Sequence, residues 1–225
     1  MRVRTPFSLI VACLLVLAGN LAVAKDPLVA PVSPDVALAR LKAGNARFAA
    51  ATVSQGKPTA ARRAETAKVQ HPFAIIVGCA DSRTSPELLF DQNIGDLFVV
   101  RTAGNLVDDH GLGSIEYAVD HLGTRLIVVL GHERCGAVKA AMESATAPGH
   151  VNSLVHDIQP AVAAAKNEKG DPLANAVKAN ARLMAEKIGK EAELGEHKSA
   201  VRIVTGYYDL DTGVVEWLAE DKGER

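Results

Sequence analysis

The chain has 225 residues, a formal net charge of −1 at neutral pH and only 4% aromatic residues, with charges of both signs mixed along its length. That balance excludes the clustered basic face of a nucleic-acid binder. The core has to be built from Val, Ile, Leu and Ala. Arg2 and Arg4 precede an apolar run, Leu9 to Ala18, and Ala22-Val23-Ala24 supplies a small-x-small cleavage pattern. Residues 1–24 therefore read as a signal peptide cut before Lys25, since the run is shorter than the roughly 20 apolar residues of a membrane span. Residues 25–225 then form one domain, periplasmic or secreted and free of the membrane after cleavage.

In chain order, Lys25 to Pro34 reads as an extended arm. Ser33-Pro34-Asp35 starts a helix with a serine cap and proline in the first turn, and Leu38, Leu41 and Phe48 give it an apolar stripe interrupted by Asn45. Gly56-Lys57-Pro58 ends that unit. Four short apolar, β-branched runs follow: Ala74 to Gly78, Leu97 to Val100, Leu126 to Leu130 and Val201 to Val204. Such runs suit strands buried on both faces. Helices are expected from Gly113 to Leu122, from Val138 through Glu143, and along Leu173, Val177, Ala181, Met184 and Ile188, which recur at steps of three and four. The tail, Tyr207-Tyr208 to Val214-Val215 around Asp211-Thr212-Gly213, reads as a hairpin. The fold class is α/β: a mainly parallel central sheet flanked by helices, with a C-terminal edge strand.

Cys13 falls within the signal segment, so the domain keeps Cys79 and Cys135. Cys79 and Asp81 follow the first strand; His132 and Cys135 follow the third. Ligands of an open parallel sheet gather beyond the carboxyl ends of its strands, so two thiols, an imidazole and a carboxylate share one rim. The set suits Zn²⁺ in tetrahedral geometry, and three protein ligands leave the open position of a catalytic site. A Cys79–Cys135 disulfide is the rival reading for an exported chain. Gly78, Gly131 and Gly136 would let backbones crowd the metal. Gly111-Leu112-Gly113 is no dinucleotide loop, because no strand precedes it and Glu116 stands in place of the last glycine. His110 reads as an ordinary surface residue, with a proton shuttle as the alternative.

Cys79-Ala80-Asp81-Ser82-Arg83 together with His132-Glu133-Arg134-Cys135-Gly136 resembles the signature pair of the β-class carbonic anhydrases. The resemblance continues through Leu41 to Phe48, Val100 to Asn105 and Ser114 to Ala118. It implies a zinc lyase, carbonate dehydratase, that interconverts carbon dioxide and bicarbonate by attack of a zinc-bound hydroxide. It implies zinc on Cys79, His132 and Cys135, Asp81 and Arg83 as a catalytic pair, and Asp81 as an intermittent fourth ligand. Gln92 is carried over as a substrate-channel residue. Two thiolates cancel the formal charge of Zn²⁺, so on charge alone bound water ionises less readily than on three histidines. Asp81, kept ionised by Arg83, is suited to compensate by accepting the hydroxide's proton in a hydrogen bond. A homodimer or homotetramer is implied, with the helix around Leu38 to Phe48 lying across the partner. Three alternatives stay open: hydrolysis of carbon disulfide or carbonyl sulfide on the same scaffold, a non-catalytic zinc protein with four permanent ligands, and a thiol enzyme using Cys79.

Overall fold

The computed structural model describes residues 30–54 and 59–218. The signal segment, the first part of the extended arm and Gly56-Lys57-Pro58 lie outside the described residues. Among those described, no helix is long and apolar enough to cross a membrane.

Helix α1 spans Pro34–Ala49, with the Ser33 side chain accepting from Val36 N and proline in the first turn. A seven-residue helix, α2 (Ala60–Thr66), precedes strand β1 (Ala74–Cys79). One turn, α3 (Pro86–Leu89), leads to β2 (Leu97–Thr102), and α4 (Asp109–Asp120) leads to β3 (Leu126–His132). Then come α5 (Gly136–Glu143), α6 (Val151–Ala165), α7 (Pro172–Glu191), β4 (Arg202–Tyr208) and β5 (Val215–Trp217). The sheet order is β2-β1-β3-β4-β5; the first four strands run parallel and β5 closes antiparallel on β4, so the expected hairpin forms.

β1 and β3 are buried along their whole length. Ile75, Val77, Ile127 and Val129 face a layer that includes Ile115, Ile158, Val177 and Ile188 from α4, α6 and α7. Ala74, Ile76, Leu126 and Val128 face the other layer, with Leu38 and Leu41 of α1 and Leu89 of α3. Each of these buried aliphatic side chains is worth about 1.5–3 kcal/mol relative to exposure.

Two expectations change. β2 is an edge strand, and after Leu97 it is half-buried or exposed rather than buried on both faces; only β1 pairs with it. α4 begins four residues earlier than expected because the Asp108 carboxylate caps the Gly111 amide at 2.9 Å. α1 packs on the sheet through Leu38 and Leu41. Asn45 fastens it there: its amide donates to Leu89 O (3.1 Å) and Gly213 O (2.8 Å), and its oxygen accepts from Val215 N (2.8 Å). The apparent flaw in the helix stripe is thus a satisfied buried carboxamide joining α1 to α3 and to the β4–β5 hairpin.

Chain connections run from β1 outward to β2, but from β3 to β4 on the opposite side. The carboxyl ends of β1 and β3 therefore flank the crevice at which ligands of such sheets collect.

Candidate metal centre

Cys79 is the last residue of β1, His132 the last of β3, and Cys135 the residue that starts α5. Their two sulfurs and one imidazole nitrogen all lie within 4.8 Å of one another, and all three residues are buried. Both cysteines are free thiols, so the disulfide reading fails. A tetrahedral zinc with Zn–S near 2.3 Å separates two sulfurs by about 3.8 Å, which this cluster meets with little movement.

The imidazole is aimed by the chain. His132 Nδ1 lies 2.9 Å from Glu133 O; a carbonyl only accepts, so Nδ1 carries the proton and Nε2 presents its lone pair. Nε2 is buried and without a hydrogen-bond partner in the described structure. Leaving such an atom unpaired costs about 1–3 kcal/mol, and a metal would satisfy it. The thiols show the same need. Hydrogen bonds from Cys135 and the amides of Asp81 and Gly104 draw the Cys79 thiol down, against burial. The Cys135 thiol is pushed up, because it shares its proton with Cys79 and is buried. Two buried sulfurs beside an unpartnered imidazole nitrogen form a donor set that a divalent cation fits. The donor set and its packing therefore match zinc.

Asp81 turns away from the cluster to Arg83. The guanidinium donates to both carboxylate oxygens, at 2.9 and 2.7 Å, and the Arg83 amide donates a third bond at 3.0 Å. The Arg83 side chain thus holds the Asp81 carboxyl well below the usual carboxylate range, against partial burial. Asp81 Oδ2 still lies 3.9 Å from His132 Nε2, so the carboxylate borders the position left open by the three donors.

Several supports escaped the sequence reading. Thr84 Oγ1 donates to the carbonyls around the turn, at 2.9 Å to Asp81 O and 3.2 Å to Cys79 O. Arg101, on β2, reaches the same two carbonyls at 2.8 and 2.6 Å. The Gly104 amide donates to Cys79 Sγ at 3.2 Å. Arg134 adopts φ +53° beside Cys135 and clamps Asp211 with two bonds of 2.7–2.8 Å.

The structure does not bring Gln92 to this cluster within one chain. It is buried under α1, donates to Phe90 O at 2.6 Å, and borders a cleft shared with Arg40, Ala43, Arg47, Phe73 and Asp96. His110 is exposed near the start of α4. Of the three glycines, only Gly131 is demanded by a close approach: a Cβ there would meet Val177 Cγ1 at 2.7 Å, so the constraint comes from α7 rather than a metal. Gly78 and Gly136 have open space where a Cβ would stand.

A conserved family pattern described as carbonic anhydrase matches residues 74–215, from the first residue of β1 into β5. The chain is 47% identical over 134 residues to a carbonic anhydrase of Mycolicibacterium smegmatis, an alignment that takes in 58% of this chain and 65% of that protein. It is 34% identical over 164 residues to a carbonic anhydrase of Pseudomonas aeruginosa, covering 66% of this chain and 74% of that one. A solved β-carbonic anhydrase of Coccomyxa, in complex with acetazolamide, superposes with a TM-score of 0.62 at 27% identity, over 84% of this chain and 87% of that chain. Parallel sheet, two-strand-end donor set and sequence agree: this chain belongs to the β-class carbonic anhydrases. The shared stretch is a little under two thirds of the mycobacterial relative's length.

Proposed function

We propose that the protein catalyses the reversible hydration of carbon dioxide to bicarbonate and a proton. One observation carries this reading: Cys79, His132 and Cys135 converge within 4.8 Å, while Asp81 is held off the open position by Arg83. Cys79, His132 and Cys135 would hold zinc, which supplies a Lewis acid able to make water nucleophilic near neutral pH. Asp81, ionised and oriented by Arg83, accepts the hydrogen bond of the attacking water and points its lone pair at carbon dioxide. Arg83 holds the carboxylate oriented and turned outward, and its own guanidinium is half-exposed. A non-catalytic protein with four permanent ligands would have Asp81 turned inward, and the Asp81–Arg83 pair speaks against that arrangement. The test is stopped-flow hydration of carbon dioxide by protein of measured zinc content. Turnover that tracks bound zinc, vanishes on chelation and returns with zinc supports the proposal; zinc-loaded protein without turnover refutes it.

We also infer a homo-oligomer. β2 is an unpaired, half-exposed edge, and Ile94 and Tyr117 stand exposed on a cleft beside its first residue, with Leu88 exposed close by. Burial of these side chains by a second copy is the arrangement they suit. The amino-terminal sequence supports export to the periplasm or beyond.

A further inference from the structure

Asn180 stands on the inner face of α7, fully buried among Ala176, Val177, Ala181 and Met184. A carboxamide there is costly, the more so because its Oδ1 has no hydrogen-bond partner in the described structure; an aliphatic side chain would pack the same space without that cost. Its Nδ2 donates to Gly104 O at 2.7 Å, and because the partner is a carbonyl the orientation of the amide is fixed.

Gly104 is an unusual partner. It lies in the left-handed region (φ +73°), where a Cβ would meet Ile158 Cδ1 at 2.9 Å and Ala137 Cβ at 3.3 Å. Its amide donates at 3.2 Å to Cys79 Sγ. α5 and α6 thus crowd the turn from two sides, and Asn180 of α7 holds it by its carbonyl. An N–H hydrogen bond stabilises negative charge on sulfur and reduces what that sulfur gives to a metal.

We propose that Asn180 is a positioning residue for the metal centre: by holding the Gly104 carbonyl it keeps the Gly104 N–H on the Cys79 sulfur, and so sets how strongly that thiolate donates. The proposal rests on Cys79 being a metal ligand. It is tested on the full chain loaded with cobalt. Wild-type protein shows a sulfur-to-cobalt charge-transfer band that is lost in Cys79→Ser together with the metal; without that band in the wild type the metal reading itself falls, and this proposal with it. Asn180→Leu keeps the volume and removes the donor. Its band moves to lower energy, as for a more electron-rich sulfur, and its zinc affinity in a chelator competition changes about tenfold, the scale of altering a partner behind a ligand. Ile188→Val, a small cavity farther along the same helix, leaves band and affinity unchanged. Wild-type band position and zinc affinity in folded Asn180→Leu overturn the proposal. A second measurement needs no variant: cadmium-113 bound to wild-type protein couples through the sulfur to the Gly104 amide proton, and absence of that coupling overturns the proposal as well.

Discussion

Replacing Arg83 with alanine removes two of the three hydrogen bonds on the Asp81 carboxylate and leaves only the main-chain amide of residue 83. With the guanidinium gone, Asp81 rises toward the ordinary carboxylate pKa of about 4. It stays ionised at neutral pH, so protonation does not explain a loss there. Geometry does: Oδ2 is 3.9 Å from His132 Nε2, and a freed carboxylate turns to the open position beside the three donors. We expect turnover to fall about 10²-fold, the scale of losing a positioned proton-handling group, with zinc content unchanged. Asp81→Asn should fall by a similar factor, because an amide keeps the shape and accepts that proton poorly. Since the two residues act as one unit, the double variant should be no worse than either single one. A stopped-flow assay beside metal analysis reads all three. Full activity in either single variant, zinc lost together with activity, or multiplicative losses in the double variant would refute the reasoning. The pH dependence has a definite sign. A depressed carboxylate adds stability above its unfolded pKa and loses it as pH falls from there through its folded value; in Arg83→Ala, with the carboxyl back near the unfolded pKa of about 4, that contribution is largely absent and the acid-side loss of stability relative to neutral pH should be smaller than in the wild type.

Cys79→Ser and Cys135→Ser should each abolish stoichiometric zinc, measured by elemental analysis of gently purified protein, because two donors from one thiolate and His132 hold the metal too weakly. Gly131→Ala should destabilise the fold by about 1–3 kcal/mol in denaturant titration through the clash with Val177, while Gly136→Ala, with open space at its Cβ, should change stability by less than about 0.5 kcal/mol. Exported protein should begin at or next to Lys25 by amino-terminal sequencing; an intact Met1 on soluble mature protein would show that the first 24 residues were misread.

The buried strands were legible because β1 and β3 are continuous β-branched runs that pack on both faces, and the ligands because each sits within five residues of such a run. α7 was legible from its period. β2 carries the same composition as β1, and nothing in a lone sequence tells an edge from a centre; neighbours decide that. α6 was passed over although Val155, Ile158, Ala161 and Ala165 repeat at helical spacing; Pro160 and the intervening polar residues mask the stripe. Thr84 and Asn180 leave no pattern at all, and the resemblance through Val100 to Asn105 gives Arg101 and Gly104 no role. They act on backbone atoms that strand pairing and helix packing bring near, at separations of 5, 22, 25 and 76 residues.

Asn45 sets an order of events for the making of this protein. Two of its three bonds reach residues 213 and 215, up to 170 positions away, and closing a loop of that length costs about 4.5 kcal/mol of chain entropy beyond a constant. α1 is synthesised early, yet its clasp is delivered by nearly the last described residues, and β4, which lies between β3 and β5, comes almost as late. Until then the α1-facing side of the sheet is incomplete, and a partly synthesised chain lacks the clasp. Such wiring delays the final state until residues 213 and 215 are present.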